Sequence, residues 1–275
     1  MKWQVLKVPE YRTKINMKKE IRVFFTAIMF FTRIPCPKWV DHSEEYLNKS
    51  AKYFPLMGWI AGGSSALVFW LSSYILPIPV CILLSMMASI LITGAFHEDG
   101  LADVCDGFGG GWTKEKILLI MKDSRVGAFG AIGLILALGL KFLCLSYISQ
   151  NILTFVLVLI AAHSLSRFSA ITFLYTHQYA REDDESKSKP LATKLTPSQL
   201  MVAAFFGIAP LLFMGMFLKN YWVLLLVIPV FITKILLGRF FKKWIGGYTG
   251  DCLGATQQIC EIIFYLSVLV LWKFI

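Results

Sequence analysis

Acidic side chains are concentrated in one short stretch of an otherwise apolar chain. Residues 97–130 carry six of the seventeen carboxylates, and four fall within nine residues: Glu98, Asp99, Asp103 and Asp106. The three aspartates are spaced i, i+4, i+7, so a helix that continues the preceding apolar run would place them on one face. Like charges this close repel, and proteins commonly hold such carboxylates together with a cation. The stretch therefore predicts one or two Mg²⁺ ions bridged by Asp99, Asp103 and Asp106, with Glu98 as a further ligand or as a side chain that orients one of the ligands.

Glycines and basic side chains follow these acids. Gly107 and Gly109 to Gly111 are expected to break the helix and to let backbone approach a ligand closely. Lys122 and Arg125 come at the end of a predicted helix over 113–123 and could pair with phosphate oxygens. The stretch therefore combines acids that could hold magnesium, glycines that allow close approach and bases that could bind phosphate. This combination predicts phosphoryl transfer on a diphosphate. One of the carboxylates could take the proton of an attacking hydroxyl, but the spacing does not say which.

A second polar, glycine-rich stretch, GGYTGDCLGA, occupies residues 246–255. Four glycines around Thr249 and Asp251 suit a turn whose backbone amides bind an anion, with Asp251 as a metal ligand or base. We expect it on the same side of the membrane as the acidic stretch.

Three further residues are candidates for contact with substrate or phosphate. His97 precedes the acids and could orient a carboxylate or a phosphate. Arg33, in FFTRIPCP, ends a short apolar stretch and could also snorkel to lipid phosphate. Arg167 lies inside an apolar run with His163 one turn earlier, and an arginine within a span is expected to face the bundle interior and to pair with an acid.

The composition is that of an integral membrane protein. Of the 275 residues 57% are hydrophobic and 16% are charged, and the mean hydropathy is +0.65, whereas a soluble domain carries about 25% charged residues. No soluble basic module with interleaved aromatics is evident, which excludes nucleic-acid binding. We predict an all-α, polytopic helical bundle that forms a single integral-membrane domain over residues 1–275.

Seven apolar runs are each near the ~20 residues that cross a bilayer. A shorter run, Val23 to Ile34, predicts an N-terminal interfacial or re-entrant helix. The seven runs are separated by alternating short and long links, and they cover residues 54–76, 80–97, 126–148, 152–175, 200–218, 221–237 and 256–274.

Basic residues give the orientation. Segments 1–53, 98–125, 176–199 and 234–255 hold 23 of the 27 Lys and Arg residues, against two on the opposite side. Lys and Arg favour cytoplasmic loops, so the basic segment 1–22, the long links and the candidate site are expected on the cytoplasmic side of a bacterial or archaeal cell membrane.

Three motifs together resemble the cobalamin-5'-phosphate synthase, or adenosylcobinamide-GDP ribazoletransferase, family. They are H-E-D-G-L-A-D-x-x-D-G at 97–107, K-D-S-R-x-G at 122–127 and G-G-x-T-G-D-x-L-G-A at 246–255. The F-x-T-R-I-P element at 30–35 and the many spans fit as well, so the resemblance covers nearly the whole chain.

This resemblance implies the step that joins the two halves of a cobamide. The ribose 3'-hydroxyl of α-ribazole, or of its 5'-phosphate, attacks the corrinoid-side phosphorus of adenosylcobinamide-GDP; GMP leaves, and Mg²⁺ is required. The resemblance implies a metal site at Asp99, Asp103 and Asp106 and substrate contacts at Lys122, Arg125 and Asp251. Membrane lipid is an expected partner, and the sequence leaves open whether the chain forms a homo-oligomer.

Two other classes of membrane protein share some of these features. A CDP-alcohol phosphotransferase signature resembles D-x-x-D-G-x-x-A-R followed by G-x-x-x-D-x-x-x-D; Asp103, Asp106 and Gly107 match its start, but Gly110 and Gly111 replace Ala-Arg and no D-x-x-x-D follows. A transporter would carry acids at mid-span in broken helices related by an internal repeat, and no repeat is evident.

Overall fold

The described part of the chain is helical. The computed structural model describes residues 10–40, 43–181 and 194–274. Its α-helices are α1 (Glu10–Phe31), α2 (Glu44–Ser50), α3 (Phe54–Ser72), α4 (Ile78–Thr93), α5 (Phe96–Gly110), α6 (Lys114–Ile120), α7 (Ala128–Ile148), α8 (Ile152–Ile171), α9 (Phe173–Thr176), α10 (Pro197–Phe217), α11 (Val227–Ile245) and α12 (Gly250–Phe274), with 3-10 turns at Ala51–Tyr53 and Tyr221–Leu226.

The predicted membrane bundle of about seven spans is confirmed. Six helical segments within the described ranges are long and apolar enough to cross a bilayer, and α4 with α5 forms a bent pair that makes a possible seventh. The six are Glu44–Ser72, Ala128–Ile148, Ile152–Thr176, Pro197–Phe217, Tyr221–Ile245 and Gly250–Phe274.

The acidic helix is not a continuation of the preceding apolar helix, contrary to expectation. Helix α4 ends at Thr93, and α5 starts at Phe96 with its axis turned by 89°. The break is made by Gly94 and Ala95, whose φ angles of 67° and 58° lie in the left-handed region that ends helices. The apolar pattern runs through this break, so hydropathy alone extended the span to residue 97. As a result the acids are carried by a separate helix that crosses the direction of α4.

The N-terminal helix is also longer than the predicted run from Val23 to Ile34. Helix α1 spans Glu10–Phe31 because the Lys, Glu and Arg residues before Val23 are good helix formers even though they are polar. It is not among the helices apolar enough to cross a membrane. Residues 1–9 of the predicted basic segment lie outside the described residues.

Helix α8 occupies the centre of the bundle and packs against α3, α10 and α12. Small residues allow this close packing, as is usual between membrane helices. On α3, a Cβ at Gly62 would lie 2.9 Å from the Cα of Ile160 on α8. Helix α12 in turn packs on α8, α7, α11 and α5. The first turn of α12 is thereby held against the acidic helix.

Candidate active site

The two predicted motifs meet where α5 crosses α12. Gly100 and Gly254 face each other at the crossing: a Cβ at Gly100 would lie 2.9 Å from the carbonyl oxygen of Asp251, and one at Gly254 would lie 3.2 Å from that of His97. Only glycine allows backbones to approach this closely. The expectation that the 97–107 and 246–255 stretches lie on one side of the bundle agrees with this contact.

Carboxylates from both helices converge on Asp103. The negative charges of Asp251, Asp99 and Asp106 all act on Asp103, and the positive charge of Arg181 opposes them. Asp99 is exposed, while Asp103 and Asp251 are half-buried. The predicted helical face that carries Asp99 and Asp103 is therefore present, and α12 adds a further carboxylate to it.

Asp106 has a structural partner that the sequence did not indicate. Its Oδ2 accepts a hydrogen bond from the backbone N–H of Gly127 (2.6 Å), and its Oδ1 accepts one from that of Gly130 (2.8 Å). These N–H groups belong to the first turn of α7, whose positive end favours an anion. A Cβ at Gly127 would lie 2.5 Å from Asp106 Oδ1, so glycine is needed there. Asp106 thus caps α7 with both oxygens.

Glu98 and His97 face the protein interior. Glu98 is buried, and its Oε1 accepts a hydrogen bond of 2.9 Å from Gln258 Nε2 on α12. His97 is 1% exposed and stacks on Phe54, with ring centroids 5.6 Å apart. Neither imidazole nitrogen has a hydrogen-bond partner among the described residues. Neither side chain shares the exposed acidic face in this structure.

Magnesium prefers carboxylate oxygens, and the acids that remain available for it differ from the predicted set. In residues 10–40, 43–181 and 194–274, no three His, Cys, Asp or Glu side chains already stand together as a metal-binding group. Three acids are open enough to reach a ligand: Asp99, Asp103 and Asp251. At Asp103 the negative charges of its neighbours are opposed by the single positive charge of Arg181, so the group has an excess of negative charge. By the chemistry of its donors this trio fits a divalent cation better than Asp106 or Glu98.

The glycines after the acids do not end the helix where predicted. Gly107 and Gly109 are helical, and α5 continues to Gly110. Their role is close packing: a Cβ at Gly107 would lie 2.6 Å from Met121 Cγ, and one at Gly109 would lie 2.5 Å from Phe129 Cγ. The predicted helix over 113–123 is the shorter α6.

The two predicted phosphate-binding bases have different surroundings. Arg125 is 87% exposed and pairs with Asp123, at 2.6 Å between Nη2 and Oδ2. Hydrogen bonds from Arg125 lower the pKa of Asp123 to about 2, so this surface pair stays ionised. Lys122 instead lines a cleft of about 310 Å³ together with Lys114 and Arg181. Lys122 is therefore the better placed of the two for an anionic ligand.

Arg181 is a site residue that the sequence did not single out. Its Nη2 lies 3.1 Å from Oδ2 of Asp251. An isolated parallel β-bridge between Tyr179 and Tyr248 brings the segment after α9 against the segment before α12. Its hydrogen bonds run from Tyr248 N to Gln178 O (3.0 Å) and from Ala180 N to Tyr248 O (2.9 Å). An arginine just beyond a span is common, and its partner is 70 residues later, so no local pattern marks it.

Thr249 is buried and acts on its own helix. It caps α12 by accepting a hydrogen bond of 3.3 Å from Cys252 N, and its hydroxyl donates to Asp251 Oδ2 at 3.3 Å. Its direct neighbour is therefore the Asp251 carboxylate, which it helps to orient beside Arg181.

Arg167 faces the bundle interior, as predicted, but contacts histidine rather than an acid. Its Nη1 donates to the carbonyl oxygen of His163 (2.9 Å) and lies 3.1 Å from the ring Nδ1. The acid of this cluster, Glu261, lies 2.5 Å from Lys141 Nζ and 3.3 Å from His163 Nδ1. These charges are buried in the spans and connect α7, α8 and α12, so removal of one partner would leave a buried charge uncompensated.

Arg33 is exposed and follows α1 by two residues. Its backbone N–H donates to Ile92 O at 2.7 Å, and its side chain covers Gly94 at the break between α4 and α5. This places it near the start of the acidic helix.

Comparison with known proteins gives a consistent result over almost the whole chain. A model of the cobalamin-5-phosphate synthase family matches residues 23–270. An adenosylcobinamide-GDP ribazoletransferase of Shewanella frigidimarina is 48% identical over 257 residues, which are 93% of this chain and 97% of the relative. Proteins of the same name from Leptospira interrogans and Ralstonia pickettii are 45% and 44% identical, covering 94% and 93% of this chain and 98% and 96% of their own.

No solved structure matches this chain. The family match spans both glycine-rich motifs and the helices that carry them, and the relatives are aligned over nearly their full length. The chain belongs to the cobalamin-5-phosphate synthase family.

Proposed function

We propose that this protein is an adenosylcobinamide-GDP ribazoletransferase. The name of its relatives supports the activity. The observation that carries the assignment to a site is the crossing of α5 and α12, which brings Asp99 and Asp103 together with Asp251 and Arg181. A nucleotide-activated diphosphate needs negative charge for a metal and positive charge for its oxygens, and both lie on this surface.

The proposed reaction is a substitution at phosphorus. The ribose hydroxyl oxygen of α-ribazole, or of its 5'-phosphate, forms a bond to the corrinoid-side phosphorus of adenosylcobinamide-GDP. The bond between that phosphorus and the bridging oxygen breaks, and GMP leaves with the bridging oxygen. The hydroxyl proton passes to a carboxylate of the acidic face, for which Asp99, Asp103 and Asp251 are the candidates.

Basic side chains are placed to bind the diphosphate. Lys114, Lys122 and Arg181 line one cleft together with Glu115, and Arg181 connects this cleft to the acidic face through its pair with Asp251. Arg181 has a planar guanidinium that can contact Asp251 and a phosphate oxygen together, whereas the lysines act as point charges. Binding the diphosphate here would orient the corrinoid-side phosphorus toward the acidic face.

Magnesium is proposed as the cofactor, with Asp99, Asp103 and Asp251 as the residues that would hold it. When bound, it would neutralise diphosphate charge and stabilise the leaving oxygen. The acidic face is proposed to open to the cytoplasm, where nucleotide-activated substrates are made; the distribution of Lys and Arg supports this orientation.

The test is GMP release by purified protein in detergent supplied with adenosylcobinamide-GDP, α-ribazole 5'-phosphate and Mg²⁺. Asp103→Asn is expected to lower kcat by at least about 100-fold, since the removed charge lies at the centre of the acidic face. Thermal unfolding should be unchanged. GMP release at the wild-type rate from Asp103→Asn would contradict the site, and no GMP from folded wild-type protein would contradict the activity.

Asp123→Asn is the matched control. It removes a carboxylate from the same stretch of sequence, but this carboxylate pairs with Arg125 at the surface rather than with the acidic face. Its GMP release should equal that of the wild type. A similar loss in both variants would mean that overall negative charge, not the acidic face, is what matters.

A further inference from the structure

A basic pocket lies beside the Tyr179–Tyr248 bridge, since Gln178 and Gly247, the residues that precede the two tyrosines, line it. It has a volume of about 420 Å³. None of its lining residues is acidic; they are Tyr175, Thr176, His177, Gln178, Lys242, Gly246 and Gly247. No step of the proposed reaction uses it. We call it the basic pocket.

A buried lysine lies behind this pocket. Lys234 is 5% exposed, and its Nζ donates a hydrogen bond of 2.9 Å to Thr176 Oγ1. It also lies over the Phe173 ring, 4.6 Å from the centroid. In the described part of the chain it forms no ion pair with an acid. A buried ammonium without a countercharge is costly, so an anion nearby would stabilise it.

The charges of two lysines, Lys234 and Lys242, both act on His177 in the wall of the pocket. Lys234, Gly238 and Lys242 follow each other at intervals of four and therefore share one face of α11. His177 packs on Gly238 between them: a Cβ there would lie 2.7 Å from its Nε2. Partial burial and the charges of Lys234 and Lys242 lower the pKa of His177, which favours the neutral form of its ring. The positive charge of the pocket thus comes from the two lysines.

The pocket is within reach of the acidic face. Gln178 lines the pocket and Arg181 pairs with Asp251, and these two residues are three apart along the chain. Three residues span at most about 11 Å even when fully extended. The pocket and the Arg181–Asp251 pair are therefore neighbouring sites.

We propose that the basic pocket binds a phosphate monoester, the 5'-phosphate of the ribazole substrate, while the ribose hydroxyl lies at the acidic face. This inference rests on the proposed function and adds to it the residues that would select phosphorylated over free α-ribazole. Lys242 is the contact residue. Backbone at Gly246 and Gly247 lets a phosphate approach closely. Lys234 contributes positive charge from behind Thr176, a residue that lines the pocket.

The experiment measures KM for α-ribazole 5'-phosphate and for α-ribazole with the Lys242→Ala variant. Loss of one charged contact should raise KM for the phosphorylated substrate about tenfold, which corresponds to about 1.4 kcal/mol. KM for free α-ribazole should not change, and Lys242→Arg should restore much of the preference. Equal changes for both substrates, or no change for either, would overturn the proposal.

Lys243→Ala is the matched control, because Lys243 is the next residue on α11 and lies near the Trp244 ring rather than in the pocket. It should leave both KM values at the wild-type level. If no variant releases GMP from either substrate, the proposed function fails; if GMP is released but the substrate preference is unaltered, only the pocket assignment fails.

A lipid phosphate is the alternative source of the same chemistry. The assays are therefore repeated in phosphatidylcholine vesicles with and without phosphatidylglycerol. The substrate assignment requires the same Lys242→Ala effect in both. An effect seen only as altered activation by phosphatidylglycerol would overturn it.

Discussion

Asp106 shows how one carboxylate of a motif can have a role different from its neighbours. Its spacing places it with Asp99 and Asp103, yet both of its oxygens accept backbone N–H groups at the start of α7. The charge of Asp106 still acts on Asp103. It therefore adds to the negative potential of the face while holding α7 against α5.

Asp106→Ala should lower the free energy of unfolding by about 1–2 kcal/mol, because it removes the cap of a helix. Equilibrium or thermal unfolding in detergent would measure this. Asp99→Ala is the control: Asp99 is an exposed acid of the same helix, so its loss should change stability by less than about 0.5 kcal/mol. An Asp106→Ala protein as stable as the wild type would instead favour the predicted role as metal ligand.

Individual residue roles were only partly predictable from the sequence. The i, i+4, i+7 spacing gave the correct helix for the acids, because helical periodicity is a local property. The partners of Asp106 are 21 and 24 residues away and are backbone groups, which no residue type reveals. Likewise Arg181 gains its significance only from a contact with Asp251 across 70 residues.

The acidic surface depends on the packing of α5 against α12. The backbones approach at Gly100 and Gly254, and the Asp251 carbonyl lies next to the Gly100 Cα. Any side chain at Gly100 would push α12 away, and Asp251 would move with it. Helix packing of this kind is intolerant of added volume.

Gly100→Ala is expected to destabilise the protein by about 1–3 kcal/mol through overpacking, and to reduce GMP release. Gly139→Ala on α7 is the control, since a Cβ there meets nothing within 4 Å; it should be neutral or stabilise by up to about 1 kcal/mol, as Ala is the better helix former. Thermal unfolding and activity are measured for both. Equal stability of the two variants would contradict the close crossing.

Most helices were predictable from apolar runs, but the sharp break between α4 and α5 was not. Gly94 and Ala95 lie within a continuous apolar pattern. An alanine with positive φ is rare, and no feature of the sequence predicts one here. The first half of α1 is polar, so no apolar run marks it and hydropathy does not predict it.

The whole bundle has a predicted orientation in the membrane. Long links and most Lys and Arg residues fall on one side, and the acidic face is on that side in the prediction. Gly110, at the end of α5, and Gln150, between α7 and α8, are both exposed and belong to opposite sides in this arrangement. They provide a matched pair for labelling.

Cysteines introduced at these positions should react oppositely with a membrane-impermeant thiol reagent. In intact cells Gln150→Cys should be labelled and Gly110→Cys protected, and inverted vesicles should reverse the result. The unaltered chain, with its six cysteines, sets the background. Labelling of Gly110→Cys from outside intact cells would contradict the cytoplasmic site.

The α5–α12 crossing also bears on how the protein is made. Translation and membrane insertion proceed from the N-terminus, so Asp99 and Asp103 are in place long before Asp251 leaves the ribosome. A nascent chain that has inserted only as far as α11 has Asp99 and Asp103 but lacks Asp251. It also lacks Gly254 of α12, which packs against Gly100. At the proposed site, activity therefore requires that α12 has been inserted and packed against α5.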